Sequence, residues 1–158
     1  MNLTALATEI NTDPEALGYS QYKVEAPGRI ADMMNAPSFL APRSRWISEL
    51  GIMELYPDGP VAADALLAKL ETFATTQHAL AGVVRRVLRF LQGNGFDIGS
   101  ATSHNMLSVL AQASVVSADE ATKLKALANK PASRAEVLFG NGTVVTEVQV
   151  RKAINGNV

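Results

Sequence analysis

The chain has 158 residues, of which 47% are apolar, 18% charged and 6% aromatic, and its formal net charge is −1. That length and apolar share supply a core and exclude a wholly disordered chain, while the balanced charge excludes the basic excess that general nucleic-acid or anionic-membrane binding requires. There is no cysteine, so disulfides, thiolate catalysis and zinc–sulfur sites are excluded as well.

Sparse aromatics beside abundant alanine, leucine and valine favour closely packed helices. The opening MNLTALATEI lacks the basic region and long apolar run of a secretory leader. No run reaches the roughly eighteen apolar residues of a membrane span. The expectation is therefore a protein without membrane contact, made in the cytoplasm and used there or packaged into a larger particle.

Leu3, Leu6, Ala7 and Ile10 follow the i, i+3, i+4, i+7 spacing of one helical face. Thr12 or Asp13 is suited to cap a second helix with Pro14 in its first turn, and Gly18 to end it with positive φ. VEAPGRIADMMNAP predicts a short helix between Pro27 and Pro37, with Ile30, Met33 and Met34 on its apolar side. APSFLAPRS reads as irregular, because Pro37 and Pro42 bias the residues before them away from the α region.

Arg43 to Leu50 reads as helical, with Trp46, Ile47 and Leu50 sharing a face. After the turn Pro57-Asp58-Gly59-Pro60, the region from Pro60 to Gln92 carries two apolar stripes, Leu66, Leu67, Leu70 and Phe73, then Leu80, Val83, Val84, Val87, Leu88 and Leu91. A break at Thr75-Thr76 divides it into two packed helices, since one helix of that length would outrun a small domain. GNGFDIGS is a loop, and a helix starts near Ser103. Ser117 with Glu120, and Ser133 with Glu136, spell capping boxes for two further helices. Thr143–Val150 alternates like a strand, yet Thr146 before EVQVRKAI also suits a capped helix; helix is preferred because an isolated strand has no partner. The fold expected is all-α, a bundle of about eight or nine short helices. It is read as one domain, 1–158, with 1–42 a partly irregular arm or cap and 43–158 the helical core.

The residue chemistry offers no catalytic or metal constellation. His78 and His104 have no His-x-x-x-His or Glu-x-x-His partner, and Ser103-His104-Asn105 reads as helix-start polarity. GNGFDIG and FGNGTVV lack the strand and the Gly-Lys-Ser/Thr ending of a phosphate cradle. Asp58, Asp64, Asp97 and Asp119-Glu120 fall at turns and helix N-termini, where they complement the helix dipole. Arg85 and Arg89 share a face at i, i+4 with Arg86 about 100° away. They read either as a solvated helix face or as an ion-paired contact between subunits. SRAEVLFGNGTVVTEVQVRKAI fits a helix-turn-helix poorly, since that motif's connector is three or four residues and Phe139 to Val145 is longer, and DNA binding is the lesser reading.

TDPEALGYS, IADMMNAP and LANKPASRAEVLFGNGTVVTEVQVRKAI, taken in order, resemble a loose family of small proteins encoded by tailed bacteriophages and prophages. The family pattern is an Asp-Pro…Gly-Tyr segment, a short helix ending in a Leu-Asn-like pair, then Ser-Arg-Ala-Glu-x-Leu and Gly-x-x-Val-x-x-x-x-Val. This sequence supplies Asp13, Pro14, Gly18 and Tyr19, Met34-Asn35 in place of the Leu-Asn pair, and Ser133, Arg134, Ala135, Glu136, Leu138, Gly142, Val145 and Val150. The match covers the two ends, and the middle agrees only in helical character. It implies a phage-encoded protein from virion-gene regions and brings no catalytic residue and no cofactor.

With no catalytic constellation in the residues, what the resemblance implies is a non-enzymatic structural or virion-associated phage protein. It would be assembled in the host cytoplasm and dock on capsid, neck or tail subunits, oligomeric in the particle. The alternative is a small phage-encoded intracellular regulator that binds host protein or nucleic acid. Candidate interface residues are Tyr19, Phe39, Leu40, Trp46, Arg85, Arg86 and Arg89.

Overall fold

The computed structural model describes residues 1–156. It is 58% helical. In chain order it comprises α1 (Leu3–Thr12), a 3₁₀ turn (Tyr19–Gln21), α2 (Pro27–Asn35), β1 (Phe39–Pro42), β2 (Trp46–Ile47), α3 (Glu49–Leu55), α4 (Pro60–Ala74), α5 (Ala81–Gln92), β3 (Phe96–Asp97), α6 (Ala101–Gln112), α7 (Ala118–Ala126), β4 (Asn129–Ala132), α8 (Arg134–Phe139) and α9 (Glu147–Ile154). The molecule is thus mostly helical but not strictly all-α. Among the described residues four short strands form two small sheets, β1 with β4 and β2 with β3.

Two compact units divide the chain, Met1–Ala41 with Pro131–Val158, and Pro42–Lys130. Residues 1–41 share a core with the C-terminal segment. In this first unit α1, α2, α8 and α9 bury Leu6, Ile10, Tyr19, Ile30, Met34, Val145 and Val150. Asn35 joins distant segments by donating to Val145 O at 2.8 Å and accepting from Val145 N at 2.9 Å.

The second unit packs α3 to α7 around Ile47, Leu66, Leu70, Val84, Leu88, Leu91, Leu107, Leu110 and Leu124. The expected break after α4 is present, and Arg85 closes it by donating to Ala74 O at 2.8 Å. Ser117 and Ser133 complete their capping boxes, and Thr146 with Gln149 makes a third that starts α9. The core encloses a cavity of about 40 Å³ lined by apolar side chains alone. That is far below the ~300–1,000 Å³ of a typical small-molecule pocket.

Several local expectations are corrected. No second helix starts at Thr12 or Asp13: Asp13 ends α1 with φ 42°, and its carboxylate accepts from the N–H groups of Leu17, Gly18 and Tyr19 at 2.8, 2.7 and 3.2 Å. A side chain thus satisfies amides that a helix would have used. Gly18 does have positive φ, 86°, but it opens the 3₁₀ turn and ends no helix. The segment read as irregular contains β1, where Pro42 is tolerated because both strands of a two-stranded sheet are edges. The helix expected from Arg43 starts only at Glu49, because the Ser48 hydroxyl accepts from Gly51 N. Trp46 and Ile47 lie in β2, so Trp46, Ile47 and Leu50 share no face: Ile47 is buried while Trp46 and Leu50 are exposed. The helix expected near Ser103 begins at Ala101, capped by Ser100.

Candidate interaction site

The site lies in the second unit and starts from the pairing of two very short strands. β2 and β3 run antiparallel, with Trp46 opposite Asp97 and Ile47 opposite Phe96. Successive side chains of a strand point to opposite faces, so burial of Ile47 in the core turns Trp46 outward, 67% exposed. Two glycines allow the chains to approach this closely. Gly95 has φ +86°, and a Cβ there would stand 3.3 Å from Ile47 O. A Cβ on Gly99 would stand 1.7 Å from Arg43 O, a distance no side chain can occupy.

Asp97 fastens the pair. Its Oδ1 accepts from Arg45 N at 2.8 Å and Gly99 N at 3.1 Å, and its Oδ2 from Ser44 Oγ at 2.9 Å. Partial burial pushes this carboxyl upward, but the three hydrogen bonds, from the Arg45 N–H, the Ser44 hydroxyl and the Gly99 N–H, outweigh it. They hold the group below the ordinary carboxylate value. Its oxygens are occupied by structure, and the group stays ionised.

Beside Trp46 lies a surface cleft of about 210 Å³, lined also by Phe90 of α5, Phe96 and Asp97 of β3, and Ser100 and Thr102 at the start of α6. Phe90 is 47% exposed. It lies opposite the stripe of Val84, Leu88 and Leu91 that α5 buries. A cleft of this size falls short of a typical metabolite pocket. It suits one or two side chains from a partner.

The residues selected from the sequence divide between the two units. Tyr19 is fully buried in the first unit. Its hydroxyl is enclosed, with no hydrogen-bond partner among the described residues, and does not lie at the surface of the chain. Burial first, and then the charges of Glu9 and Asp13, push the phenol well above its ordinary value. Phe39 is half-buried under the Arg134 guanidinium, 5.5 Å from ring to carbon. Leu40 is exposed on β1. In the second unit Arg85 is committed to Ala74 O, whereas Arg86 and Arg89 are exposed. Trp46 lines the same cleft as Phe90 of the arginine-bearing helix.

Phe90, Phe96 and Asp97 are site residues that the sequence reading missed. Phe90 had a detectable signal, since it follows Arg86 at i+4 on the exposed face. The approach of Phe96 and Asp97 to Trp46 had none, because about fifty residues separate the strands and each strand spans only two.

His78 is exposed, its Nδ1 accepting from Leu80 N at 3.1 Å. His104 is half-buried, its enclosed Nε2 without a hydrogen-bond partner among the described residues. In the first unit Arg134 binds Glu9 through two parallel bonds, Nε to Oε1 at 2.7 Å and Nη2 to Oε2 at 2.9 Å, and reaches Glu15 at 3.1 Å. Both members of the main pair are buried. Among the described residues no three His, Asp or Glu side chains converge as metal ligands.

The positions carrying the sequence resemblance meet in this first unit. Asp13 ties down the backbone of Gly18 and Tyr19, Asn35 holds Val145, Ser133 and Glu136 cap α8, and Arg134 binds Glu9. These contacts hold the first unit together. No family model matches the chain, and no curated protein or solved structure matches it either.

Proposed function

We propose that this protein is a non-enzymatic structural or virion-associated protein of a tailed bacteriophage that docks on other virion subunits. The phage and virion assignment rests on the resemblance of the two chain ends. The docking role rests on one observation, the largely exposed Trp46 beside Phe90 at a cleft smaller than a typical metabolite pocket. Trp46 and Phe90 expose two aromatic side chains at one cleft, and aromatic anchors dominate the energy of protein interfaces. Trp46 and its cleft therefore take the place of Tyr19 and Phe39 as the docking feature, with Arg86 and Arg89 as orienting charges.

Mass spectrometry of purified particles tests this reading. The protein is expected among the virion components, and a Trp46→Ala variant of unchanged fold is expected to be depleted from them. Absence of the parent protein from particles sinks the reading. Salt-sensitive retention on DNA would favour the regulator instead, because phosphate contacts weaken steeply with salt.

A further inference from the structure

The surroundings of the cleft narrow what fills it. Arg86 precedes Phe90 by one helical turn, which places their Cβ atoms about 5–6 Å apart on one face. Arg89 is the residue next to Phe90. Among the described residues neither guanidinium is paired with a carboxylate, and α5 itself carries no acidic residue. The lining at Trp46, Phe90 and Phe96 is aromatic, and Asp97 already accepts from the Arg45 and Gly99 N–H groups and the Ser44 hydroxyl.

Building on the docking role proposed above, we infer that the cleft receives a protein segment bearing one large apolar side chain flanked by Asp or Glu. The apolar side chain enters between Trp46 and Phe90, and its acidic neighbours meet Arg86 and Arg89. Arginine favours such contacts because its planar fork matches a carboxylate. A second copy of this chain is a poor occupant through the same face. A two-fold contact would set Arg86 and Arg89 against their own copies with no acid on α5 to offset them. A nucleic-acid strand fits less well too. It brings a phosphate with every base, past the ionised Asp97, to a chain with no wider basic field.

Trp46 is the only tryptophan, so its fluorescence reports occupancy directly. The full chain is used to select from a random library of peptides about twelve residues long, with the Phe90→Ser variant as counter-selector. Because Phe90 is partly exposed, that variant is expected to keep the parent's circular dichroism and melting temperature; an Arg86→Glu/Arg89→Glu double variant gives an independent second measurement. Enriched peptides are expected to combine a large apolar residue with Asp or Glu within a turn and to shift Trp46 emission saturably. Their affinity is expected to fall roughly tenfold or more in the Phe90 variant, to fall likewise in the arginine variant, and to weaken with salt.

Enrichment of basic or uncharged sequences, or of none that respond to both variants, overturns the inference. So does a tighter response of Trp46 to single-stranded oligothymidylate. These outcomes concern the chemistry of the occupant. They are separate from absence of the protein from particles, which would remove the virion role while leaving the cleft's preference measurable.

Discussion

At Gly18 the backbone is left-handed, and an added Cβ would meet nothing closer than Gln21 Nε2 at 3.5 Å. Gly18→Ala is therefore expected to destabilise by about 1 kcal/mol through backbone strain alone, read as a lower urea midpoint with unchanged slope; an unchanged midpoint would refute it. Asp97 gives a pH signature. A carboxyl depressed in the folded state stabilises the protein above its unfolded value of ~3.9, and that contribution is lost as pH falls through the folded value. Asp97→Asn is expected to melt below the parent at pH 7, with the difference closing as the solution is acidified below that value. A difference independent of pH would assign the effect to hydrogen-bond geometry and not to charge. The positive φ of Gly18 was legible from its neighbours in sequence. The demand on Gly99 was not, since the obstructing atom, Arg43 O, arrives from a distant segment.

Among the elements, the helices with sustained apolar periodicity are the ones that a one-dimensional reading recovers. Leu66, Leu67 and Leu70 in α4, and Val84, Leu88 and Leu91 in α5, mark their buried faces by spacing alone, and the capping boxes mark the starts of α7, α8 and α9. A two-residue strand cannot display a period, so β2 was absorbed into a neighbouring helix. The joint between α1 and α8 was equally hidden, because Glu9 and Arg134 lie 125 residues apart. Removing one member of a buried pair strands a charge, so Arg134→Met or Glu9→Leu is expected to cost about 3–5 kcal/mol. The double variant is expected to recover much of that loss, since neither charge is left unpaired. A double-mutant cycle by chemical denaturation measures the coupling, and additive losses would show that the two residues act independently.

On the scale of the whole molecule, the second unit is one continuous stretch with its own core, whereas the first is assembled from both ends of the chain. Residues 42–130 expressed alone are expected to be helical by circular dichroism and to unfold cooperatively on heating. A non-cooperative melt would show that this core needs the rest of the chain. Composition, periodicity and capping by themselves determined that the protein is mostly helical, where its longer helices run, and that a turn with positive φ sits at Gly18, because each depends on residues within a few positions of one another. Only the tertiary structure decided that the two ends share a core, that Tyr19 is interior, and that Trp46 meets Phe90, Phe96 and Asp97 at one cleft. Those facts depend on contacts between residues dozens of positions apart, and local spacing carries no record of which distant segment a side chain will meet.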